Sequence, residues 1–545
     1  MLVSEAVGAA LADLGADTVF GVVGSGNFHV TNALIGRGAR FIAARHECGA
    51  VCMADGWARL TGRPGIVSVH QGPGLTNAMT GITEAAKSRT PMLVLAADVA
   101  ATAVRSNFHI DVASIAAAVG ATPARLHSPA FAVDDTVRAY RTAMQERRTV
   151  VLALPLDVQA GECIPPAASL IGPPDPAAPA AAAVSALAGA LVRSRRPVFI
   201  AGRGARIAGA RPDLERLADA CGALLATSAA AKGLFRGSPW DLDVSGGFAS
   251  PLAAELIRDA DLVVGWGCAL NMWTLRHGKL IGPDAMVIQV DHEAAALGAH
   301  RPVDLGVLGD VAATARAAAD ALAAAAAGYR SPELRERIAS QVRWRDVPYA
   351  DDSDGSRIDP RTLTIALDDL LPAERIIAVD SGNFMGYPSM YLSVPDADGF
   401  CFTQAYQSVG LGLASAIGSA IARPDRLTVA ALGDGGALMS ISELETAVRL
   451  RLPMVILIYD DEAYGAEVHH FGPDGHPLDT VRFPAADMAA IGRGFGCDGV
   501  TVRGPDDLRP VRDWLGGPRE RPLVIDAKVT SEHGSWWLEE AFRGH

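Results

Sequence analysis

Short apolar runs alternate with stretches of helical periodicity along most of the chain. Runs such as 427–432 and 149–153, bounded by glycine or polar residues, are typical of strands buried on both faces of a parallel sheet. Residues 3–14 instead repeat apolar side chains at helical spacing. This alternation predicts an α/β fold of doubly wound parallel sheets. The predicted strands are 18–22, 41–43, 66–69, 92–96, 149–153, 198–201, 262–264, 286–290, 376–379, 427–432, 454–458 and 523–527.

Two stretches of different character interrupt the alternation. Residues 164–183 are rich in proline and alanine, and residues 328–357 form a second loose stretch. A chain of 545 residues is also long for a single hydrophobic core. We therefore expect three domains, at residues 1–163, 184–327 and 358–545.

Composition and charge argue against several classes of partner. The formal net charge is −13, and no cluster of lysine and arginine offers a surface for nucleic acid. No apolar run reaches the roughly 20 residues that a membrane helix needs, since the alanine-rich residues 317–327 contain Asp320. The first residues include Glu5 and no basic segment, unlike a signal peptide. Seven cysteines without a C-x-x-C pair indicate a reducing compartment. We expect a cytoplasmic protein without a membrane or nucleic-acid partner.

Glycine-rich or polar loops follow four predicted strands. Three of them belong to the first domain: Gly24-Ser25-Gly26-Asn27, Arg45-His46-Glu47 and His70-Gln71-Gly72-Pro73-Gly74. The fourth, Asp380-Ser381-Gly382-Asn383, belongs to the third domain. Ligands of doubly wound sheets bind at the carboxyl ends of the strands, so these loops are candidate binding sites.

A fifth loop carries the most specific pattern. The strand 427–432 ends at Gly433-Asp434-Gly435-Gly436, where we expect a tight turn, and Ser440 or Ser442 is placed to cap the following helix. Pro453 ends that helix before the strand 454–458, and Asp460-Asp461 follows at once. A right-handed crossover brings both strand ends to one sheet edge, so we expect Asp434 and Asp461 to meet there.

Two carboxylates beside a glycine-rich loop suit a Mg²⁺ ion that also binds phosphate. Mg²⁺ takes few protein ligands and completes its shell with water or phosphate oxygens. Glycines allow backbone N–H groups to approach those phosphates. The alternative is a buried turn whose aspartates only cap backbone groups.

The GDG pattern followed by an acidic pair resembles the signature of thiamine-diphosphate enzymes. The whole chain is similar to the superfamily of acetolactate synthase, pyruvate decarboxylase and benzoylformate decarboxylase. The resemblance implies that Asp434, Asp461 and the backbone carbonyl of Ala463 hold the metal. The family usually has Asn-Asn where this chain has Asp460-Asp461, so the site carries one more negative charge. The remaining residues implied to bind the cofactor's diphosphate are Gly382, Asn383, Gly433, Gly435 and Gly436.

The resemblance also assigns the residues around the rings of thiamine diphosphate. Arg45-His46-Glu47-Cys48-Gly49-Ala50 matches the motif whose glutamate hydrogen-bonds the aminopyrimidine ring, which makes Glu47 the activating carboxyl. We expect Glu47 to be mostly buried with a raised pKa. The alternative is an idle glutamate that stabilises a helix N-terminus. By register with Gly410-Leu411-Gly412-Leu413, Val409 lies between the two rings and Gln407 offers its carbonyl, although relatives usually differ at these places.

Further polar residues are implied to act on the substrate. His70 falls where benzoylformate decarboxylase-like enzymes have a catalytic histidine, and Glu467 where pyruvate decarboxylase-like enzymes have an acid. Ser25 and Gln71 lie in the neighbouring loops of the first domain. A histidine near the reacting carbon can donate a proton at neutral pH. The alternative for His70 is a hydrogen bond from its ring to backbone at a strand end.

Together the resemblance implies a thiamine-diphosphate- and Mg²⁺-dependent enzyme that adds a cofactor carbanion to a small 2-oxo acid and expels CO₂. Protonation of the product makes it a decarboxylase, and attack on a second carbonyl acceptor makes it a carboligase. Cleavage of a C–C bond without decarboxylation is a related variant. Because Glu47 and the metal residues lie in different domains, the family builds each site from two chains. We expect a homodimer or homotetramer.

Two rivals come from other classes. The Gly202-Arg203-Gly204-Ala205 loop imitates a nucleotide fingerprint, so a flavin- or nicotinamide-linked oxidoreductase is one alternative. FAD as an additional cofactor is less favoured, because Cys268-Ala269-Leu270-Asn271-Met272-Trp273 replaces the Arg-Phe-Asp-Asp-Arg run of FAD-containing acetolactate synthases. The second rival is a catalytically silent relative that still binds the cofactor, but such a protein is free to lose Glu47.

Overall fold

The computed structural model describes residues 1–164, 172, 175–322 and 328–541. Eighteen strands in these residues form three six-stranded sheets, and every strand pairing between neighbours is parallel. The prediction of three doubly wound parallel sheets is confirmed. Parts of the predicted proline- and alanine-rich stretch (165–171, 173–174), the end of the predicted central domain (323–327) and residues 542–545 lie outside the described residues.

The first sheet has the strand order β2-β1-β3-β4-β6-β5. Its inner strands β3, β4 and β6 are completely buried, which is why they appear as continuous apolar runs. The edge strand β5 has no fully buried residue and contains Pro123, so the sequence pattern did not predict it. The elements are α1 Val3–Asp13, β1 Thr18–Gly21, α2 Phe28–Gly36, β2 Arg40–Ala43, α3 Glu47–Thr61, β3 Gly65–Val69, α4 Pro73–Lys87, β4 Met92–Asp98, α5 Val112–Ala118, β5 Thr122–Arg125, α6 Ala132–Gln145, β6 Thr149–Pro155 and α7 Leu156–Gln159.

The second sheet has the order β12-β11-β10-β7-β8-β9. Three of its strands, β8, β9 and β12, were not predicted, and each is four residues long. The elements are α8 Ala181–Arg193, β7 Pro197–Ala201, α9 Arg203–Ile207, α10 Arg211–Cys221, β8 Leu224–Thr227, β9 Asp241–Val244, α11 Pro251–Arg258, β10 Leu262–Trp266, β11 Met286–Asp291, β12 Leu305–Leu308, α12 Val311–Ala321 and α13 Pro332–Gln341.

The third sheet has the order β14-β13-β15-β16-β18-β17. Its central strands β13, β15 and β16 are adjacent, so the loops that follow them meet at one edge. The elements are α14 Pro360–Leu370, β13 Arg375–Val379, α15 Gly386–Tyr391, β14 Phe400–Phe402, α16 Gly412–Ala422, β15 Leu427–Gly433, α17 Asp434–Met439, α18 Glu443–Arg449, β16 Val455–Asp460, α19 Gly465–Phe471, α20 Met488–Phe495, β17 Asp498–Val502, α21 Arg509–Gly516, β18 Leu523–Lys528 and α22 Trp536–Ala541.

Two local predictions in the third sheet were wrong. The glycine-rich segment after β15 was expected to be a tight turn, but Asp434 begins the short helix α17. Ser442 does precede α18, yet its side chain makes no capping hydrogen bond. The connection between β15 and β16 therefore contains two short helices, α17 and α18, in place of one.

The first and third sheets share one hydrophobic core, in which α3 packs directly on α16. A Cβ at Gly56 would overlap the Ser415 carbonyl, and one at Gly418 would overlap the Met53 carbonyl. Glycine at both places therefore allows the two helices to touch backbone to backbone. In the described part of the chain, no helix has the length and apolar character needed to cross a bilayer.

Candidate active site

The predicted metal residues lie together at the edge of the third sheet. Strands β15 and β16 pair with Gly433 opposite Tyr459, so Asp434 and Asp461 begin neighbouring loops. Asp434 is only 8% exposed. Burial and the neighbouring carboxylates Asp461 and Asp460 raise the pKa of Asp434 to about 8. Burial, and then Asp460, raise the pKa of Asp461 to about 7. A buried and a half-buried carboxylate at one sheet edge, where the Asp461 charge raises the pKa of Asp434, fit a divalent cation that removes this repulsion.

Asp460, the first residue of the Asp460-Asp461 pair, has a lysine as its counter-ion. The Asp460 carboxylate is buried and forms an ion pair with Lys528, whose ammonium also lies 3.1 Å from Asp526. The Lys528 ammonium donates further to the Ala486 carbonyl at 2.8 Å. Asp460 therefore has its own counter-ion, and we assign the extra negative charge predicted for this site to Asp461, although Asp460 still raises the pKa of both neighbours.

The loop after Asp461 is folded tightly. Glu462 has a positive φ of 57° and pairs with Arg357 at 2.8 Å. Ala463 forms a β-bridge with Arg482, and its amide supports the Asp461 carboxylate. Gly465 begins α19, and a Cβ there would overlap the Asp461 carboxylate. This backbone leaves Ala463 beside Asp461, as the predicted carbonyl ligand requires.

The loop after β13 brings Gly382 and Asn383 to the same edge. Gly382 has a φ of 141°, which favours glycine. Asn383 is 8% exposed, and its Nδ2 lies 3.4 Å from the position of a Cβ on Gly465. Since Gly465 also touches Asp461, the Asn383 amide and the Asp461 carboxylate flank one another. An amide donor and glycine backbone beside two carboxylates suit a metal-bound diphosphate.

The segment that carries Gln407 and Val409 is held by two buried carboxylates. Glu84 of α4 accepts the backbone N–H of Ala405 at 3.2 Å and of Tyr406 at 2.7 Å. Asp380 accepts the N–H of Gly410 at 2.9 Å. Gln407 between these anchors has a positive φ of 60° and an exposed side chain.

The helix α16 that follows Val409 begins at Gly412. Gly410 has a φ of 90°, and the amides of Gly410 and Leu411 donate to Asp380 instead of continuing a helix. Val409 therefore lies before the helix and is 37% exposed. Its Cγ1 lies 3.1 Å from the position of a Cβ on Gly436. The structure thus groups Val409 with the glycine-rich segment at Asp434, while Gly435 packs under the Tyr464 ring.

Glu47 begins α3 in the first sheet. Its Oε2 accepts a hydrogen bond from Nδ2 of Asn77 at 3.1 Å, and its Oε1 lies 3.6 Å from the position of a Cβ on Gly74. His46 caps the same helix by accepting the Cys48 amide. Glu47 is half-buried within the single chain, which is less than predicted. The contact of Glu47 with Asn77 of α4 was not predicted from the sequence.

His70 follows β3 and lies close to Glu47. Its Nδ1 accepts the Gly26 N–H at 3.2 Å, and the Phe108 ring packs edge-on at 5.2 Å. Burial lowers the pKa of His70, and the Glu47 charge opposes this only in part. The neutral tautomer therefore carries its proton on Nε2, which leaves a donor for another group.

The neighbouring loop is shaped by an asparagine that sequence reasoning missed. Asn27 is completely buried, accepts the Gly24 N–H at 2.8 Å and donates to Ser68 at 3.0 Å. Ser25 is exposed at the tip of this loop. Gln71 is 4% exposed, and its Oε1 has no hydrogen-bond partner within the described residues. The position of Asn27, a polar residue directly after Gly24-Ser25-Gly26, was the only sequence pattern that could have predicted its role in this loop.

Glu467 lies on α19, six positions after Asp461, and is exposed. The same short helix also contains His469, whose ring packs against Gly534. Burial and the neighbouring His533 lower the pKa of His469. The structure therefore groups Glu467 with the third-sheet residues and not with Glu47 or His70.

The two groups of site residues lie at opposite ends of a helix pair. Met53 lies beside Gly418 and Gly56 beside Ser415, so α3 and α16 run antiparallel. Glu47 begins α3, whereas Val409 precedes α16, so the two are about 20 Å apart along the helix axes at 1.5 Å per residue. One chain alone does not bring Glu47 to Val409.

In the second sheet, the backbone amides of the Gly202–Ala205 loop form hydrogen bonds within the protein. The Gly202 amide donates to Trp266 at 2.9 Å, and the Gly204 amide donates to Gly267 at 2.9 Å. A Cβ at Gly204 would lie 2.7 Å from the Gly267 backbone. These amides are therefore used in packing, which argues against the nucleotide fingerprint that the pattern imitates.

Known proteins resemble this chain over most of its length. Three family models match it: the N-terminal TPP binding domain of thiamine pyrophosphate enzymes over 1–116, the central domain over 184–318 and the C-terminal TPP binding domain over 380–527.

A probable 2-ketoarginine decarboxylase of Pseudomonas aeruginosa is 30% identical over 525 residues, covering 93% of this chain and 90% of that protein. A sulfoacetaldehyde acetyltransferase of Castellaniella defragrans is 28% identical over 579 residues, covering 99% and 95%. An acetolactate synthase of Bacillus subtilis is 26% identical over 555 residues, covering 96% and 93%. The chain therefore belongs to the thiamine pyrophosphate enzyme family, to which its sequence motifs pointed.

Proposed function

We propose that the protein is a thiamine-diphosphate- and Mg²⁺-dependent enzyme that acts on a small 2-oxo acid. The observation that carries the proposal is the placement of Asp434, which is 8% exposed, and the half-buried Asp461 at one edge of the third sheet. Burial raises the pKa of both carboxyls and the Asp461 charge raises that of Asp434 further, and a bound cation would relieve this. Asn383 and the glycines at 433, 435 and 436 lie at the same edge and would hold the diphosphate. Ala463 would complete the protein ligands of the metal.

The cofactor supplies, when bound, a carbon nucleophile that adds to the 2-oxo acid carbonyl and accepts the electrons released with CO₂. Glu47 would hold a proton at the aminopyrimidine ring, and Asn77 fixes the carboxyl by donating to its Oε2. His70 would donate from Nε2 toward the substrate oxygen, since its Nδ1 is occupied by Gly26. Val409 and Gln407 would contact the rings, while Ser25, Gln71 and Glu467 would line the substrate space.

Each site would be completed by a second copy of the chain. The antiparallel packing of α3 on α16 supports this, because it separates Glu47 from Val409. Apolar side chains around the metal half-site are also exposed in the single chain, including Val409 at 37%, Leu438 at 45% and Met439 at 58%. A homodimer or a homotetramer of chains with domains 1–163, 184–327 and 358–545 would account for the separation of Glu47 from Val409 and for the exposed apolar side chains.

Decarboxylation is the favoured reaction, because the neutral His70 has a free Nε2–H to protonate the product. Transfer to a second carbonyl acceptor is the other candidate, and it is supported by the relatives named acetyltransferase and acetolactate synthase. Both candidates share the same first step, so the residues named above serve either.

A proton NMR time course of the full-length protein with thiamine diphosphate and Mg²⁺ tests the proposal. Pyruvate and longer, aromatic and guanidinium-bearing 2-oxo acids are offered in turn. An aldehyde identifies a decarboxylase, and an acyloin or acetolactate identifies a carboligase. Glu47→Gln is expected to abolish turnover, while Glu445→Gln, which alters partly exposed ion pairs with Arg45 and Arg449, serves as the matched control. Absence of any product while the cofactor is bound contradicts the proposal.

A further inference from the structure

The C-terminal segment folds back onto Asn383 at the edge of the third sheet. The Ser535 amide donates to Oδ1 of Asn383 at 2.9 Å. The Asn383 backbone carbonyl accepts two more hydrogen bonds, from Oγ of Ser535 at 2.7 Å and from Nε1 of Trp537 at 3.0 Å. Ser535 is 1% exposed and Trp537 is 8% exposed, so these hydrogen bonds are shielded from water.

These contacts fix the orientation of the Asn383 side chain. Because Oδ1 is held by Ser535, the amide cannot rotate without leaving a buried N–H without an acceptor. The Nδ2 group therefore stays on the side of Gly465 and Asp461. Within the described residues Nδ2 donates to no protein acceptor. An anionic oxygen beside Asp461 would provide that acceptor.

The segment is itself anchored to residues around the second sheet. The Trp537 ring packs edge-on against Phe248 and Trp273, with centroids 6.2 and 6.3 Å away. The Trp536 ring lies under the Arg276 guanidinium at 5.3 Å. The position of Asn383 thus depends on a surface formed by residues of another sheet and not only on its own loop.

We propose that Ser535 and Trp537 are positioning residues that orient Nδ2 of Asn383 to donate to a diphosphate oxygen of the cofactor. This inference rests on the proposed function, because it takes the diphosphate site to be at Asp434 and Asp461. Binding and docking are then reciprocal: the docked segment strengthens cofactor binding, and the bound cofactor stabilises the docked segment.

Two neighbouring tryptophans provide a matched pair of variants. Trp537→Phe removes the N–H that Asn383 accepts and keeps an aromatic ring. Trp536→Phe also keeps a ring, but Nε1 of Trp536 is buried with no acceptor in the described residues. Calorimetric titration of the metal-saturated, cofactor-free full chain gives the affinity for thiamine diphosphate. Ser535→Ala keeps the amide that donates to Oδ1 and removes only the Oγ donor to the Asn383 carbonyl. We expect Trp537→Phe and Ser535→Ala, which each remove one hydrogen bond to that carbonyl, to weaken binding about tenfold, and Trp536→Phe by less than about twofold.

A double-mutant cycle separates positioning from general destabilisation. In an Asn383→Ala background, Trp537→Phe is expected to have no further effect on cofactor affinity. Equal effects of the two tryptophan variants, or full additivity in the cycle, overturn the inference. If wild type itself does not bind thiamine diphosphate, the proposed function fails instead.

Hydrogen exchange of wild type gives a measurement that needs no variant. Thiamine diphosphate with Mg²⁺ is expected to slow amide exchange in residues 534–538 at least about threefold, since binding and docking are linked. Mg²⁺ alone provides the control. Unchanged exchange in this segment at saturating cofactor overturns the inference even if the variants do not fold.

Discussion

The carboxylate of Glu84 accepts the backbone N–H of Tyr406 at 2.7 Å, although the two residues are 322 positions apart. Glu84 is 1% exposed and is neutralised by Arg59 at 3.0 Å. Arg59 also donates to the Phe402 carbonyl at 2.7 Å. A buried ion pair of the first sheet thus holds the backbone that leads to Gln407 and Val409.

Replacing Glu84 by glutamine should weaken cofactor binding. The glutamine oxygen can accept one of the two N–H groups of Ala405 and Tyr406, while its NH₂ group faces the other. We expect the affinity for thiamine diphosphate to fall about tenfold, because an unpaired buried donor costs about 1–3 kcal/mol. Calorimetric titration measures this. Ser88→Ala is the control, since Ser88 bonds Glu84 at 2.9 Å without being part of the 405–411 segment; an equal loss in both variants contradicts the prediction.

Asp461→Asn should stabilise the metal-free protein and weaken its metal site. Asp434 is buried and Asp461 is half-buried; burial raises the pKa of both carboxyls, and the Asp461 charge raises that of Asp434 further. We expect the free energy of unfolding without metal to rise by about 1–3 kcal/mol near pH 8, and the affinity for Mg²⁺ to fall at least about tenfold. Thermal unfolding with and without Mg²⁺ measures both effects.

Asp460→Asn is the contrasting variant for the same pair. Because Asp460 has Lys528 as its counter-ion, its replacement leaves a buried ammonium with Asp526 at 3.1 Å as its remaining carboxylate partner. We expect this variant to lose stability without metal. A gain in stability for Asp460→Asn, or a loss for Asp461→Asn, contradicts the assignment of the extra charge to Asp461.

The proximity of Asp434 and Asp461 was predictable because it follows from strand order alone. Once β15 and β16 are neighbours, Asp434 and Asp461 must begin adjacent loops. The anchors of the site were not predictable in the same way. Glu84 and Tyr406, or Asn383 and Ser535, meet only after the sheets have packed, and no local pattern marks residues 322 or 152 positions apart. Likewise, α16 begins at Gly412 and not at Val409 because the amides of Gly410 and Leu411 donate to the Asp380 carboxylate, a contact that no local pattern marks.

His70→Asn should reduce turnover while leaving cofactor affinity unchanged. An asparagine oxygen can take the place of Nδ1 and accept the Gly26 N–H, but the Nε2 donor is lost. We expect kcat to fall about 10²- to 10⁴-fold, the usual contribution of a positioned acid or base. Steady-state kinetics and calorimetry measure the two quantities. Unchanged kcat would mean that His70 only supports the Gly24–Gly26 loop.

Two inactive variants should restore activity when they share a dimer. Glu47→Gln and Asp434→Asn damage opposite halves of the site, and α3 and α16 keep these halves apart in one chain. A mixed dimer has one intact site, so random assembly should recover about one quarter of the wild-type activity. The measurement is activity after co-expression, with each variant alone as the control. No recovery in verified mixed dimers contradicts a site shared between chains.

Asp380 should make stability fall as pH rises from about 4 to about 6. Burial raises the pKa of Asp380 to about 6, although the amides of Ser381, Gly410 and Leu411 oppose this shift. The folded protein then holds a proton that the unfolded chain has released, so ionisation in this window costs stability, and the loss is complete above the folded pKa. From pH 5 to pH 7 this group should remove about 1 kcal/mol.

Asp380→Asn isolates that contribution, because asparagine does not titrate. The difference in unfolding free energy between wild type and this variant should shrink between pH 5 and pH 7 and stay constant above pH 7. Urea unfolding at the two pH values measures the difference, and Asp425→Asn is the control, since Asp425 is exposed and its pKa is lowered to about 2 by Arg423. A difference that grows with pH would mean that the amides around Asp380 outweigh its burial. The segment from Ala405 to Leu411 would then be held most tightly at high pH.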